Sequence, residues 1–267
     1  MINAAILPMI QPDNYLVIDI ETGYASDDVV SEMIKQWEPP ANIKDPEKLQ
    51  ARLDAYAEEV KSKSALTDAA PIVSIAINGQ VGLNKAAYAL HGMGTTLPMP
   101  ALDAMGVQVV GFDTEAAMLG ALTAILDTIA NPETVLVGHN LVAFDLAKLR
   151  NRMVRSKAAL PAALRPAQEE SQPVYDTMRH AKWFSIEAGN SPFFSFKKLE
   201  AALGLTNAGH KNIMSGAEVP AKHAEAMAAK AAGNIQQYHD LATLIVAYNW
   251  QDVIQEEKAF RMMTGRY

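Results

Sequence analysis

The apolar run Tyr15-Leu-Val-Ile-Asp-Ile constrains this chain more than any other feature. It follows the turn signal Gln11-Pro-Asp-Asn14 and reads as a short buried strand. A second run, Ile72-Val-Ser-Ile-Ala-Ile, is closed by Asn78-Gly79, and the two strands suggest an antiparallel hairpin or meander. Residues 86–90 and 107–112 are further strand candidates, with a Gly/Pro/Met-rich loop between them. Asp113 or Thr114 caps an amphipathic helix whose Met118, Leu119, Leu122, Ile125, Leu126 and Ile129 face the core, and Asn131-Pro132 stops it. Then come a strand, Thr134-Val-Leu-Val-Gly138, a helix from Phe144 to about Lys157, and a strand at Pro173-Val-Tyr-Asp-Thr. A short helix over 196–203 ends at Gly204, and residues 207–220 form an exposed loop before an Ala-rich helix. A long helix runs from Gln236 to about Met263. This order predicts an α/β fold with a mixed sheet. Residues 23–70 form a polar insertion after the first strand, inside a single domain covering residues 1–267. In it, one helix starts at Ser26 and ends by Pro39-Pro40, and a second opens at Pro46 and runs to about Lys63, with Leu49, Leu53, Tyr56 and Val60 on one stripe.

The chain has 267 residues, a net charge of −7 and no cysteine. That excludes disulfides, cysteine nucleophiles and zinc–thiolate sites, and it suits a reducing cytoplasm. The N-terminal apolar run over 4–10 is broken by Pro8 and has no Lys or Arg before it, so neither a signal peptide nor a membrane span is expected. An acidic chain is poorly suited to salt-driven, non-specific nucleic-acid binding. It leaves room for an enzyme that gathers carboxylates around metal ions and acts on nucleic acid at one place.

Several acids stand where acids are unusual. Asp19 and Glu21 end the first buried strand, and alternation puts both on one face. Two such carboxylates repel unless a divalent cation lies between them or the strand end is wet. Asp145 follows the strand at 134–138 through Gly138-His139-Asn140, near where open α/β sheets gather their sites. Taken alone, it also fits an acid stabilising a helix N-terminus. Tyr248 and Asp252 lie four apart on the long terminal helix, on a side flanked by Leu241, Leu244 and Ile245. Together these residues make an all-oxygen ligand set suited to Mg²⁺ or Mn²⁺ rather than zinc or copper.

Tyr15-Leu-Val-Ile-Asp-Ile-Glu-Thr22, Val137-Gly-His-Asn-Leu-Val-Ala-Phe-Asp145 and Tyr248-Asn-Trp-Gln-Asp252 resemble the three exonuclease motifs of the DEDD superfamily. The tyrosine places the resemblance in the subclass of the proofreading domain of family B DNA polymerases and its small stand-alone bacterial and phage relatives. The histidine version would carry His at 247, which is Ala247. The segments Val174-Tyr-Asp-Thr-Met and Phe196-Lys-Lys-Leu-Glu are similar too. The resemblance implies a ribonuclease-H-like fold with a central five-stranded mixed sheet. It also implies a 3′–5′ exonuclease that uses two divalent cations, Mg²⁺ or Mn²⁺, and releases 5′-mononucleotides. Asp19 would bridge the two ions, Glu21 and Asp252 would complete the first site, Asp145 would hold the second, and Tyr248 would orient the attacking water. The implied partner is a nucleic-acid 3′ end, single-stranded DNA ahead of RNA, with replication or repair proteins as associates. Two alternatives remain: a catalytically silent module of this fold that binds nucleic acid or a partner, and an endonuclease or RNA-directed nuclease of this fold.

Candidate substrate contacts are Thr22, His139, Asn140 and Phe144 within the motifs, and Lys148, Arg150 and Arg152 beyond them. The last three open a stretch of six bases and no acid over 148–165, which could hold a nucleic-acid backbone or simply face solvent. Phe193, Phe194 and Phe196 could stack on a base, though core packing suits at least two of them.

Overall fold

The computed structural model describes residues 14–94, 98–165, 173–189, 191, 193–205 and 214–266. The apolar run over 4–10, the start of the first turn signal, and residues 207–213 of the expected loop lie outside them. Six strands form one mixed sheet: β1 (Asn14–Thr22), β2 (Ile72–Val81), β3 (Asn84–His91), β4 (Gln108–Gly111), β5 (Val135–Gly138) and β6 (Val174–Asp176). Their spatial order is β4-β3-β2-β1-β5-β6. Strands β1, β2 and β3 form an antiparallel meander, while β4 runs parallel to β3, and β5 and β6 run parallel to β1. Five strands were expected. The short β4, parallel to β3 at the sheet edge, makes a sixth.

The Asn78-Gly79 pair does not close β2. The strand continues to Val81 and turns at Gly82-Leu83. Two long-range contacts override the local turn signal. The Asn78 amide donates to Glu257 Oε2 at 2.6 Å. Gly79 lies so close to β1 that a Cβ there would stand 2.3 Å from the Tyr15 carbonyl oxygen.

Helices cover both faces of the sheet. On one lie α4 (Glu115–Ile129), capped by the Thr114 hydroxyl, and α5 (Asp145–Arg155). Their Met118, Leu119, Leu122, Leu126, Leu146, Leu149 and Met153 pack on Leu16, Ile18 and Ile20. On the other lie α8 (Phe196–Leu203), α9 (Val219–Ala231) and α10 (Ile235–Met263). Tyr15 and Val17 face that side, so strand alternation sorts β1 between two cores. Phe260 of α10 is fully buried, with its ring centroid 5.1 Å from those of both Tyr15 and Tyr175. Shorter helices are α3 (Pro100–Ala104), α6 (Thr177–His180) and α7 (Ile186–Gly189).

The insertion holds two helices, α1 (Asp27–Ile34) and α2 (Pro46–Ser64). Asp45 caps the second by accepting from the Glu47 N–H at 3.0 Å. Its stripe is mostly half-buried, and Val60 joins Ala25 and Val30 in a small satellite core. The two ends of the insertion meet. The Gly23 N–H donates to the Pro71 carbonyl at 3.0 Å, the Thr22 hydroxyl to the Ala65 carbonyl at 2.9 Å, and the Ala25 N–H to Ser64 Oγ at 3.2 Å. Among the described residues, no helix is long and apolar enough to cross a membrane.

Candidate metal centre

The face of β1 that buries Tyr15 and Val17 continues into Asp19 and Glu21. Helix α10 crosses this face and presents Tyr248, Asp252 and Glu256 at successive turns. One carboxylate oxygen from each of Asp19, Glu21 and Asp252 lies within 4.8 Å of the others. Asp145 arrives from the opposite layer as the first residue of α5, and its Oδ1 accepts the Ile20 N–H at 3.2 Å. The acids therefore gather at the carboxyl ends of the parallel strands β1 and β5.

The loop that delivers Asp145 is shaped by two residues. At Gly138 a Cβ would stand 3.1 Å from the Ile18 carbonyl oxygen, so glycine lets the chain leave β5 close against β1. Asn140 takes a left-handed φ of 62°, which Asn tolerates better than most residues. Asp176, at the end of β6, accepts the Asn140 and Val142 N–H groups at 3.1 Å each and so wraps the loop around its buried carboxylate.

Burial, and then mutual repulsion, pushes these acids up. Asp19, Glu21 and Glu256 lie well above the usual carboxylate range. Burial raises Asp252 to about 7, against the lowering effect of the Tyr248 hydroxyl bonded to it. Burial raises Asp145 to about 8, against the lowering effect of the Ile20 N–H. Burial also raises the Tyr248 phenol, helped by the charges of Asp252 and Glu21, so it stays protonated at neutral pH. Among the described residues, no Lys, Arg or His forms an ion pair with Asp19, Glu21, Asp145, Asp252 or Glu256. Buried carboxylates without a compensating cation are unfavourable, and an all-oxygen donor set matches a hard divalent ion.

Three participants lie outside the sequence candidates. Glu256 is buried, accepts the His139 N–H at 3.1 Å through Oε1, and has no partner at Oε2. Asn249 donates to Asp19 Oδ2 at 2.5 Å and accepts the Ser74 hydroxyl at 2.8 Å, in a relay buried beneath the site. Spacing carries a signal for Glu256, which continues the 248–252 interval by four. Nothing local marks Ser74, which reaches the site only by pairing opposite Glu21.

The expected substrate contacts fare differently. The Thr22 hydroxyl is engaged by the Ala65 carbonyl. His139 Nδ1 pairs with Thr177 Oγ1 at 3.0 Å, and its Nε2 donates to the Phe194 carbonyl at 2.7 Å. Asn140 and Phe144 are half-buried beside Asp145. Three bases of α5 are engaged within the protein. Lys148 is buried and donates to the Thr67 carbonyl, and Arg150 Nε donates to the Leu164 carbonyl at 2.7 Å. Arg152 forms a bidentate pair with Glu115, whose Oε1 also accepts the Ile72 N–H at 2.8 Å. Three arginine and lysine heads thus fasten α5 to its neighbours, because each stem lies along protein rather than water. No protein-family model matches the chain, and neither does any curated protein sequence.

Proposed function

We propose that this chain is a metal-dependent 3′–5′ exonuclease of the DEDD superfamily, tyrosine subclass, acting on DNA ahead of RNA. The convergence within 4.8 Å of buried Glu21 and half-buried Asp19 and Asp252, with no Lys, Arg or His paired to them among the described residues, carries the reading. The antiparallel β1-β2-β3 meander with β5 and β6 parallel to β1 supports a ribonuclease-H-like fold. Asp19, Glu21 and Asp252 would hold one divalent cation, and Asp19 with Asp145 a second. Bound there, such ions would offset phosphate charge and lower the pKa of water.

The protein's own groups do the rest. Tyr248 stays protonated and gives its one O–H to Asp252, so its oxygen accepts a hydrogen bond from a water and orients it without removing its proton. The water oxygen forms the new bond to phosphorus and the P–O3′ bond breaks. A nucleoside 5′-monophosphate leaves; the attacking water gives up one proton to solvent, and the freed 3′ oxygen takes one up from solvent. Asn249 holds one oxygen of Asp19 and keeps the other directed at the site.

The test uses 5′-labelled single- and double-stranded DNA and RNA with Mg²⁺, Mn²⁺ or chelator. Stepwise shortening from the 3′ end is expected, with 5′-mononucleotides as product, and a 3′-blocked strand should resist. Failure to cut any substrate with either ion would end the reading.

A further inference from the structure

Lys148, Arg150 and Arg152 are engaged internally, and exposed positive charge also lies on another stretch. Arg179, Lys182, Lys197 and Lys198 are exposed within residues 177–198, a stretch whose only acid is Glu187, in a chain of net charge −7. Among the described residues, Lys182, Lys197 and Lys198 make no ion pair. The same stretch exposes large apolar side chains: Trp183 is 62% exposed, Phe184 41%, Ile186 89% and Phe193 61%. Tryptophan and phenylalanine normally bury far more of their surface. Lys182 Nζ already lies 5.6 Å from the Trp183 ring centroid.

Two anchors tie this stretch to the acid site. The Phe194 carbonyl holds the His139 ring, and Asp176 holds the backbone of the loop leading to Asp145 while capping α6. We propose that the described residues of 179–189 and 193–198 form a platform for single-stranded nucleic acid. In it Trp183, Phe184 and Phe193 stack on unpaired bases while Lys182, Lys197 and Lys198 meet phosphates. Every base has a π face, so stacking tolerates any sequence, but a duplex hides those faces. The platform thus selects an unpaired strand and holds it next to the acids. This rests on the nuclease reading and names its substrate form.

The experiment measures binding of a fluorescent oligothymidylate and of a matched duplex in chelator, beside metal-dependent hydrolysis of bis(p-nitrophenyl) phosphate, which has no base to stack. Trp183→Ala and Phe193→Ala should each weaken single-strand binding at least about fivefold. Duplex affinity and diester hydrolysis should stay unchanged. Lys182→Glu with Lys198→Glu should flatten the salt dependence. If the unmodified protein retains no single strand, or both aromatic variants bind it fully, the platform proposal falls. A protein that binds the strand through these residues yet hydrolyses no diester with Mg²⁺ or Mn²⁺ would overturn the nuclease reading alone.

Discussion

Asp19 has one oxygen fixed from below. Asn249 donates to it, and Ser74 in turn fixes Asn249, both of them fully buried. Replacing Asn249 with Ala would strand the Ser74 hydroxyl and loosen Asp19. We expect a stability loss of about 1–3 kcal/mol, the range for leaving a buried polar group unsatisfied, together with weaker Mn²⁺ binding. Denaturant melts and calorimetric titration check the two effects. The helix pair separates differently. Asp252→Asn removes a charged ligand and should lower the single-turnover rate far more than Tyr248→Phe, which keeps the ring and loses one hydrogen bond. For the tyrosine change a loss on the order of 10–10³ is expected, with metal affinity nearly intact. A Tyr248→Phe protein at full rate would make the phenol a packing group only. Asp19, Glu21, Asp145, Tyr248 and Asp252 were legible because charge at a buried strand end and spacing on a helix are local patterns. Ser74 and Asn249 were not, because their partners come from chain segments more than 170 residues apart, and only strand pairing and helix crossing bring them together.

Helix α5 is held by its cations. Arg152 and Glu115 are each only 14% exposed, and the pair also fixes the first N–H of β2. Arg152→Ala should destabilise by about 3 kcal/mol, the lower end for stripping one partner from a buried pair, while leaving the salt dependence of strand binding unchanged. A shallower salt slope with unaltered stability would return this helix to the role of phosphate grip that its charge run suggests. Sequence shows how many bases a helix carries and on which turns, but not whether a neighbouring carbonyl or carboxylate takes them. Element boundaries show the same division. Gly204 ends α8 in a left-handed conformation, as the pattern foretells, because its stop signal is carried by the residue itself. Asn78-Gly79 carries an equally good turn signal, yet distant Glu257 and neighbouring Tyr15 hold it within a strand.

The whole molecule should be sensitive to pH in a definite direction when no metal is supplied. Asp145 and Asp252, raised to about 8 and about 7, keep protons in the folded state that the unfolded chain has released. Their contribution is therefore fully present below the unfolded carboxylate range and is lost as pH rises through the folded values. His91 and His223, lowered by burial to about 4, act in the opposite sense, and only below the ordinary histidine value. Lys148, lowered by burial to about 8, acts above neutrality. Between about pH 6.5 and 7.5 the acids dominate, so the melting temperature in chelator should fall across that interval. Mg²⁺ or Mn²⁺ should raise it, and more strongly at the upper end, since the ions compete with protons for the same oxygens. A flat or rising profile in chelator would mean the acids do not share one buried space.

The meeting of the insertion's two ends has a kinetic consequence. Since Gly23 is bonded to Pro71 and Ala25 to Ser64, β1 and β2 are in effect a hairpin whose turn has been swollen by a folded lobe. Removing residues 27–63 across a short glycine bridge keeps the carbonyls of Thr67, Asp68 and Ala69 that Lys148 and Arg152 use. It shortens the loop from about fifty residues to about a dozen, which on the logarithmic closure law lowers the entropic barrier by about 1 kcal/mol. The trimmed chain should refold up to about tenfold faster if the first strand pair forms in the rate-limiting step. Stopped-flow refolding of the two chains would then date that pairing within the folding reaction: equal rates would place it after the barrier.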